Sequence, residues 1–552
     1  MRSRTMLILV LAVVIPVVLS AQIEKWVYTY NGDLDNTDIA YALACGSEGN
    51  IYVAGRSANF GTSSDFLLVS LTDGGDTNWV YKYNPANLED IALSVVYGQD
   101  GNIYAAGMSS APLTYSDFTV LSVTTSGDTN WTYLHDGPNT IEDYDVARTI
   151  TYGLDGNIYV GGNSMANLTG GDFFVVSLNG SGIANWTYRY GGIEYLGGAA
   201  NSIVFGADSN IYAAGHSFHI GTRRDFVVLS LTTTGDTNWT YRYDGALNAD
   251  EANSVTYGLD GNIYAAGYST WIDSCRYFTV ISLSDDGEEN WVFRCKGGTT
   301  DFPYGTSAVV YGLDNNIYAA GRCSASGGSD DFFVVSLSTA GDTNWTYQLD
   351  GSSGNDDFAV ALAYGSDGNI YACGMVNNTG SAQDFTVVSL DGSGTDNWIY
   401  YYTAEASYPL WDRAYAIDFG LDGSVYAAGS SYFIETRYDF TVISLDPTTG
   451  VEETNDLITE SIRIQAAPNP FSKLTAISFG IEHNAENMEL NIYDASGRLV
   501  NCLYRGSSTE NQEWVIEWDG TDASGNRLPG GVYFAGFRCG NETTIGKLLL
   551  VR

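Results

Sequence analysis

Aspartates recur at one position of the chain, each just before a short apolar segment. The six residues are Asp38, Asp90, Asp145, Asp250, Asp357 and Asp412. A ring of carboxylates could hold Ca²⁺, which takes about six to eight oxygen ligands. Asp side chains in turns more commonly accept hydrogen bonds from backbone N–H groups, and no Asp-x-Asp-x-Asp loop accompanies these six. We therefore expect loop caps and no cofactor or metal, with Ca²⁺ as the alternative.

Metal-binding and nucleophilic patterns are weak elsewhere. His216 and His219 lie in one segment, but the sequence offers no evident third ligand for a metal. Gly-x-Ser triplets, such as residues 107–109, lack the second Gly that a nucleophile elbow requires. We therefore expect no catalytic residue of these types. The candidates for an acid–base pair of the glycosidase kind are Glu194, Asp273, Asp412 and Glu435.

Aromatic residues in the variable segments are the best candidates for ligand binding. Flat rings on a rigid scaffold stack on sugar faces, and a well-placed pair adds about 0.5–1.5 kcal/mol beyond its buried area. Trp271 and Trp411 are the strongest candidates, because every other Trp of residues 22–446 occupies a repeated position. The predicted binding set is Trp271, Trp411, Phe218, His219, Tyr432, Phe433 and Tyr115. The alternative is that these rings cover the ends of the hydrophobic core.

An internal repeat supplies the elements that position these residues. Trp recurs at positions 26, 79, 131, 186, 239, 291, 345 and 398, at spacings of 52 to 55 residues. Each Trp opens an alternating aromatic and polar strand, and three further strand-like segments follow it. Four short strands in each of eight repeats are typical of β-propeller blades. We predict an all-β chain, in which an eight-bladed β-propeller closed by the N-terminal strand precedes a small immunoglobulin-like β-sandwich.

The ends of the repeat array determine the expected topology. The array begins with a lone Trp strand, residues 26–30, and its last repeat stops at Leu445 without one. Pairing these segments would close the ring and place the Trp strand outermost in each blade. The two uniform turns, Leu-Asp-Gly and Gly-Asp-Thr, then share one face, and the variable loops share the other. We expect ligand recognition on the face of the variable loops.

Composition and the N-terminal segment limit the function class and the location. A net charge of −41 over 552 residues repels phosphate backbones and anionic lipids, so we expect no nucleic acid partner. Arg2 and Arg4 precede an apolar run, residues 6–19, and small residues follow it, which is typical of a secretory signal peptide. The run is short for a membrane span, so we predict a signal peptide at 1–21 and no integral membrane segment.

Seven cysteines in an exported chain leave disulfide pairing open. Cys275 and Cys295 flank two successive predicted strands and could be bridged. Cys502 and Cys539 form the second candidate pair. Cys45 and Cys373 lie inside repeat strands, where we expect buried thiols.

The repeat itself resembles a known bacterial unit. Gly-Asn-Ile-Tyr-x-x-Gly-x-Ser, Asp-Phe and Gly-Asp-Thr-Asn-Trp are similar to the bacterial β-propeller repeat usually described as seven-bladed. The resemblance covers roughly residues 24–445 and implies extracellular scaffolding but no common activity. Eight Trp strands depart from seven, so we predict eight blades over residues 22–446.

A separate C-terminal domain is predicted at residues 463–552, after a polar linker at 447–462. Its strand-like segments indicate a small immunoglobulin-like sandwich. It is also similar to the type A C-terminal sorting domain of type IX secretion cargo, through Pro468, Asn469, Pro470, Phe471, Gly497, Trp518, Gly520, Gly531 and Tyr533. The similarity implies passage through an outer-membrane secretion machinery that reads this domain. A plain adhesive sandwich is the alternative.

These patterns predict a secreted or cell-surface propeller that acts as a non-catalytic binding or adhesion module. The expected partners are the type IX-like secretion machinery and an extracellular glycan or surface protein. A polysaccharide-degrading hydrolase or lyase and a structural surface-layer component are the alternatives. Few His and no recognisable catalytic motif favour binding over catalysis.

Overall fold

The structure is a computed structural model with two compact units, residues 1–450 and residues 451–552. It describes residues 23–61, 63–111, 114–137, 144–165, 171–191, 197–219, 221, 223–245, 249–271, 275–296, 308–324, 329–379, 382–404, 410–447, 462–467, 473–481, 485–494, 499–508, 512–523, 525, 527–529, 531–539 and 542–550. The predicted signal peptide and nearly all of the predicted linker lie outside these residues. Within them, no helix is long and apolar enough to cross a membrane.

The first unit consists of antiparallel sheets that follow one another along the chain. Sheet 1 contains β2 (Ile39–Cys45), β3 (Ile51–Ser57), β4 (Asp65–Leu71) and β5 (Thr77–Tyr83). Sheet 2 contains β6 (Asp90–Tyr97), β7 (Asn102–Ala111), β8 (Thr114–Thr124) and β9 (Thr129–His135). Sheet 3 contains β10 (Val146–Tyr152), β11 (Ile158–Ser164), β12 (Asp172–Leu178) and β13 (Ala184–Tyr190). Sheet 4 contains β14 (Gly198–Phe205), β15 (Asn210–His219), β16 (Arg223–Thr232) and β17 (Thr237–Tyr243).

The second half of this unit repeats the same plan. Sheet 5 contains β18 (Glu251–Tyr257), β19 (Ile263–Thr270), β20 (Arg276–Leu283) and β21 (Glu289–Lys296). Sheet 6 contains β22 (Ala308–Tyr311), β23 (Asn316–Cys323), β24 (Asp331–Ser338) and β25 (Thr343–Leu349). Sheet 7 contains β26 (Phe358–Tyr364), β27 (Ile370–Asn378), β28 (Ala382–Leu390), β29 (Asp396–Tyr402) and the short β30 (Leu410–Trp411), which pairs with β28. Sheet 8 contains β31 (Arg413–Phe419), β32 (Val425–Phe433), β33 (Arg437–Leu445) and the N-terminal β1 (Glu24–Tyr30).

The order of strands agrees with the predicted topology of a blade. The first strand of each sheet contacts the first strand of the next, and β31 of sheet 8 contacts β2 of sheet 1. The last strand lies at the edge, where its residues alternate between exposed and half-buried. β1 fills this edge position in sheet 8, with Tyr28 opposite Val442. The all-β class and the blade-like four-stranded sheets are therefore confirmed.

The repeated Trp residues join neighbouring sheets. In seven of them, the indole Nε1 donates a hydrogen bond of 2.8–3.0 Å to a carbonyl in the turn of the next sheet. That turn presents a glycine to the ring: Gly127 has a φ of +86°, and a Cβ there would lie 2.9 Å from the Trp79 ring. The eighth, Trp398, has no hydrogen-bond partner for Nε1 among the described residues, because β33 and β1 are not joined by such a turn.

The other uniform turn is held by a carboxylate and a buried tyrosine. In sheet 2, the Tyr104 hydroxyl donates to Asp100 Oδ2 at 2.5 Å, and the Asn102 amide N–H donates to Asp100 Oδ1 at 3.1 Å. The same arrangement recurs at Asp155, Asp208, Asp260, Asp314 and Asp367. The uniformity of this turn therefore reflects the scaffold rather than a ligand.

The second unit has two sheets around one core. Its strands are β34 (Ile462–Ala467), β35 (Thr475–Ile481), β36 (Ala485–Asp494), β37 (Leu499–Ser508), β38 (Gln512–Trp518), β39 (Gly531–Cys539) and β40 (Glu542–Leu550). One sheet has the order β34-β35-β38 and the other β37-β36-β39-β40. Ile477 and Trp518 of the first sheet pack in one cluster with Leu490 and Phe537 of the second, as in a sandwich.

The residues matched to a sorting domain have structural roles where they are described. The Trp518 ring meets the Tyr533 ring edge-on at 5.5 Å, and Trp518 Nε1 donates to Thr521 O at 2.9 Å. Gly520 adopts a φ of +75° beside Leu550, and Gly531 begins β39. Pro468, Asn469, Pro470, Phe471 and Gly497 lie outside the described residues.

Neither of the two candidate disulfides is formed. Cys295 is bonded to Cys323 of the next sheet, with their Cα atoms 5.8 Å apart, and not to Cys275. Cys502 carries a thiol, so its expected bridge to Cys539 is not formed. Cys275 was a candidate because it and Cys295 flank two successive strands of one hairpin. In the structure, Cys295 instead contacts the neighbouring sheet, where Cys323 lies. Cys373 is buried, as expected, whereas Cys45 is only half-buried.

Candidate functional site

The variable-loop face is the end of the first unit where the second strand of each sheet ends and the third begins. Except for Lys25, every Lys and Arg between residues 23 and 447 belongs to the half of a sheet next to this face. They are Arg56, Lys82, Arg148, Arg189, Arg223, Arg224, Arg242, Arg276, Arg294, Lys296, Arg322, Arg413 and Arg437. The opposite face carries the acidic uniform turns. The scarce cations of this acidic chain are thus concentrated where the loops vary.

The six recurrent aspartates are buried caps beneath this face. Asp250 is typical: Oδ2 accepts from the Gly245 amide at 2.7 Å, and Oδ1 accepts from the Thr270 amide at 2.7 Å. Each carboxylate oxygen therefore binds a backbone amide next to one of the two variable loops. Both bonds recur at Asp38, Asp145, Asp357 and Asp412, whereas among the described residues Asp90 accepts only from the Ser110 amide, through Oδ1. The geometry is that of the predicted loop caps.

Burial changes the acidity of these caps in a repeated way. Desolvation raises the pKa of Asp90, Asp250 and Asp412 to about 7. It also raises the pKa of Asp357 to about 6. Because the shift recurs at equivalent positions of several sheets, it is a property of the scaffold and does not mark one catalytic group.

One group of carboxylates bears on the expectation about Ca²⁺. Asp225, Asp244 and Asp250 can place one oxygen each within 4.8 Å of one another. Three oxygens are fewer than the about six to eight that Ca²⁺ takes. Arg242 Nη1 and His219 Nδ1 each lie 3.3 Å from Asp225 Oδ2, so this oxygen already has two partners. The expectation of no metal, with Ca²⁺ as the alternative, stays a prediction.

The two predicted tryptophans are both exposed on the variable-loop face and both stack against arginine. Trp271, which is 38% exposed, has the Arg294 guanidinium 5.1 Å from its ring. Trp411, which is 49% exposed, has the Arg413 guanidinium 4.8 Å from its ring. The two residues belong to different sheets and form two separate aromatic–arginine pairs.

The other predicted binding residues are distributed around the same face. Phe218 packs against Arg224 at 5.4 Å, and His219 pairs with Asp225. Tyr432 meets Tyr438 edge-on at 5.1 Å, with half-buried Phe433 next to it. Tyr115 is half exposed and lies 5.4 Å from the Tyr144 ring. The set therefore spans sheets 2, 4, 5, 7 and 8 and is not one pocket.

A cavity of about 330 Å³ opens on this face between sheets 6 and 7. Its size falls at the lower end of small-molecule sites, which are about 300–1,000 Å³. The lining combines one aromatic ring with amides, a hydroxyl and a carboxylate: Ser329, Gly354, Asn355, Asp356, Phe358, Asn377 and Gln383. Hydroxyl-rich ligands are recognised by this mixture of amide, carboxylate and ring.

Two arginines contact residues that line this cavity. Arg413 Nε donates to Gln383 Oε1 at 2.7 Å, which leaves the Gln383 amide nitrogen as the donor of that side chain. Gln383 is also paired with Trp411 across the β28–β30 bridge, so the predicted Trp411 stands next to the cavity. On the other side, the Arg322 guanidinium lies 5.4 Å from the Phe358 ring.

The candidate catalytic carboxylates do not come together in the described structure. Asp412 is buried and accepts hydrogen bonds from the Tyr432 and Ala404 amides. Glu435 is exposed in a loop of sheet 8. Glu194 and Asp273 lie outside the described residues.

Sequence reasoning missed the cavity because its residues come from separate strands and loops and share no sequence pattern. Phe358, Asn377 and Gln383 lie on three strands of sheet 7, and Ser329 precedes β24 of sheet 6. One sequence signal could have drawn attention to this face. The residue after the glycine in the second strand of a sheet is Arg or His in three sheets, as Arg56, His216 and Arg322. A polar residue at the end of an otherwise buried strand is unusual.

Comparison with known proteins identifies only part of the chain. Residues 469–535 match the family model of the FlgD Ig-like domain. The immunoglobulin-like class predicted for the C-terminal domain is therefore confirmed. No curated protein gives a significant match to the sequence.

Solved structures that are similar to this chain are described as proteins of different kinds. PorZ, described as an essential bacterial surface component of the type-IX secretion system of Porphyromonas gingivalis, is 12% identical with a TM-score of 0.25; the match covers 95% of this chain and 75% of that one. The WD40 domain of SCAP from fission yeast is 9% identical with a TM-score of 0.40, covering 76% and 98%. The Hadza microbial sialidase Hz136 is 9% identical with a TM-score of 0.31, covering 61% and 74%. Similarities at this level assign no activity, ligand or partner to this chain.

Proposed function

We propose that this chain is an exported, non-catalytic binding or adhesion protein whose first unit is a closed, eight-bladed propeller. Two observations support the closed ring: β1 pairs with β33 in sheet 8, and the innermost strands of sheets 8 and 1 are in contact. Closure matters for function because it fixes all variable loops on one rigid face.

The cavity beside Trp411 is the observation that carries the binding role. It combines the Phe358 ring, hydrogen-bonding amides and a carboxylate in one recess of the variable-loop face, and the exposed Trp411 is the strand partner of Gln383 in its lining. Rings stack on the apolar faces of sugars while amide and carboxylate groups bond to hydroxyls, so an extracellular glycan is the ligand class that fits best. A surface protein is the second class.

The export route follows from the two ends of the sequence. The basic and apolar N-terminal residues favour a cleaved signal peptide, and the tail resembles a type A sorting domain. The Cys295–Cys323 bond favours an oxidising compartment. A secreted or surface-attached protein that uses a type IX-like machinery is therefore proposed.

A glycan and surface-polymer binding screen tests the proposal. The screen uses the full chain without its predicted signal peptide, rather than residues 22–446 alone. For any ligand found, Trp411→Ala should weaken binding about tenfold, as expected for loss of a stacking anchor. Leu154→Ala, which changes an exposed residue of the opposite face, should have no effect. Binding that survives Trp411→Ala and Trp271→Ala unchanged would refute this site.

The enzyme alternative makes a different prediction in the same screen. A polysaccharide hydrolase or lyase would shorten its ligand, and Asp412→Asn would stop that reaction. We favour binding because the acidity of Asp412 is shared with Asp90 and Asp250, which hold the same structural position. A surface-layer component would instead bind further copies of itself and no glycan.

A further inference from the structure

A compact charged cluster lies on the variable-loop face in sheets 4 and 5, apart from the cavity of sheets 6 and 7. At its centre, Glu251 Oε1 accepts a hydrogen bond from Asn201 Nδ2 at 2.9 Å and has His216 Nδ1 at 3.3 Å. Glu251 Oε2 accepts from the Tyr268 hydroxyl at 3.0 Å and from Arg224 Nη1 at 3.3 Å. A carboxylate has about four acceptor sites, so these partners saturate Glu251. We call these five residues the Glu251 cluster.

Arg148 of sheet 3 occupies the position in β10 that Asn201 of the Glu251 cluster occupies in β14, and these two innermost strands are in contact. Arg148 occupies a β-bulge at the variable-loop end of β10. Gly162 permits this bulge, since a Cβ there would lie 1.9 Å from the Val146 carbonyl oxygen. Arg148 Nε donates to Asn163 Oδ1 at 3.0 Å, which orients the guanidinium. The side chain is exposed, and no carboxylate of the described residues lies within ion-pair distance of it.

The charges of this region do not balance locally. Solvent reaches the Arg148 side chain, but protein surrounds it, and this desolvation together with the neighbouring Arg224 lowers the pKa of Arg148, although Glu251 acts in the opposite direction. Glu251 is the one acidic member of the Glu251 cluster, and its four partners already use its oxygens. The guanidinium groups of Arg148 and Arg224 together carry one positive charge more than Glu251 balances, in a chain whose net charge is −41.

We infer that Arg148 and Arg224 form a binding site for a single carboxylate group of a small ligand, such as a uronic acid unit. The guanidinium fork matches a carboxylate in bidentate geometry, which an ammonium group does not. Phe218, against which Arg224 packs, adds a ring on which a sugar can stack.

The net charge of the chain decides between a monoanion and a polyanion. Long-range repulsion grows with the charge of the ligand, so a highly acidic polymer is repelled by the whole molecule. A ligand with one carboxylate is repelled little and gains the short-range contacts. This site goes beyond the proposed function, because it is separate from the cavity beside Trp411 and distinguishes a ligand with one carboxylate group from an uncharged one.

Glucuronic acid and its uncharged methyl ester form a matched pair of probes for calorimetric titration of the full chain. We expect the acid to bind at least about tenfold more tightly than the ester, as for a charge-assisted contact. Arg148→Gln should remove this difference, and Arg148→Lys should restore only part of it because the fork is lost. Equal affinities for acid and ester, or no binding of the acid, would overturn the inference.

A control variant separates a local site from the general field of the face. Arg437→Gln removes the same charge from the same face, but in sheet 8, so it should change the affinity for glucuronic acid by less than about twofold. An equal loss in Arg437→Gln and Arg148→Gln would refute a local site. Trp411→Ala should leave glucuronic acid binding intact; that result is independent of whether the cavity binds its own glycan.

Discussion

Cys295, near the end of β21, is bonded to Cys323, at the end of β23, with their Cα atoms 5.8 Å apart. The bond joins the outermost strand of sheet 5 to the second strand of sheet 6. The same two positions hold His135 and Ser164 at the junction of sheets 2 and 3, where Nε2 lies 3.2 Å from Oγ. Equivalent residues of neighbouring sheets are thus in contact at both junctions, and at the junction of sheets 5 and 6 the contact is a disulfide bond.

Removing this disulfide should destabilise the first unit. The bond closes a segment with a sequence separation of 28 residues. The chain-entropy model then predicts a loss of about 3–4 kcal/mol in the free energy of unfolding for Cys295→Ser with Cys323→Ser. Urea unfolding of the oxidised protein, followed by Trp fluorescence, measures the change.

A single substitution provides the control for this disulfide. Cys275→Ser should leave the urea midpoint nearly unchanged, because Cys275 is not part of the bond. Non-reducing peptide mapping should recover Cys295 joined to Cys323. Recovery of a Cys275–Cys295 peptide would contradict the structure.

The buried aspartates predict an unusual dependence of stability on pH. Burial raises the pKa of Asp90, Asp250 and Asp412 to about 7 in the folded chain, against about 3.9 when unfolded. Such groups bind protons more tightly when folded, so their stabilisation is complete below about pH 4 and is lost as the pH rises through about 7. The urea midpoint should therefore be higher at about pH 5 than at about pH 8, at constant ionic strength.

A lower net charge at the lower pH would shift stability in the same direction, so variants must separate the two effects. Asp250→Asn imitates the protonated carboxyl and should reduce the difference between the two pH values. Asp236→Asn removes one charge from an exposed turn and should not reduce it. An identical pH dependence in both variants would assign the effect to net charge alone.

The turn glycine that packs against the repeated Trp should not tolerate a larger residue. At Gly127, a Cβ would lie 2.9 Å from the Trp79 ring, on a backbone with a φ of +86°. Gly127→Ala should lower the free energy of unfolding by about 1–3 kcal/mol, since both strain and overlap oppose the methyl group. Gly180→Ala is the matched control, because a Cβ at Gly180 meets no atom within 4 Å. Equal urea midpoints for the two variants would contradict this packing.

The fold was predictable because one physical pattern is repeated. Trp79 and its equivalents open strands with alternating exposure, and the turns before them contain glycines that need a positive φ. The ends were equally informative: the lone strand at Trp26 needed a partner, and it pairs with β33. At these positions, the local sequence preference and the contacts of the folded chain favour the same strand or turn, so the structure could be predicted from the sequence.

The candidate site was predictable only in part, because its residues do not follow the repeat. Trp411 was identified from its departure from the repeated Trp position, and it lies beside the cavity. Gln383 and Asn377 were not, since single polar residues at strand ends carry no local pattern. The same limit explains the error at Cys295, whose partner is determined by the contact between sheets.

The tail predicts a change in location. Deletion of residues 463–552 should leave a folded first unit inside the envelope of the producing cell, because the part of the chain that resembles a sorting signal is gone. Fractionation followed by immunoblotting measures the distribution of the protein. Unchanged appearance outside the cell would contradict the sorting role and favour a plain adhesive sandwich.

Hydrogen exchange of the N-terminal strand tests the central claim, a ring whose closure defines the variable-loop face. β1 pairs with β33 over Glu24–Tyr30, with Trp26 opposite Ser444. If the ring is closed, backbone amides of residues 24–30 in the full chain should exchange as slowly as those of other outermost strands, such as β9. Exchange of these amides at the rate of a free terminus would contradict the closed ring and the recognition surface that depends on it.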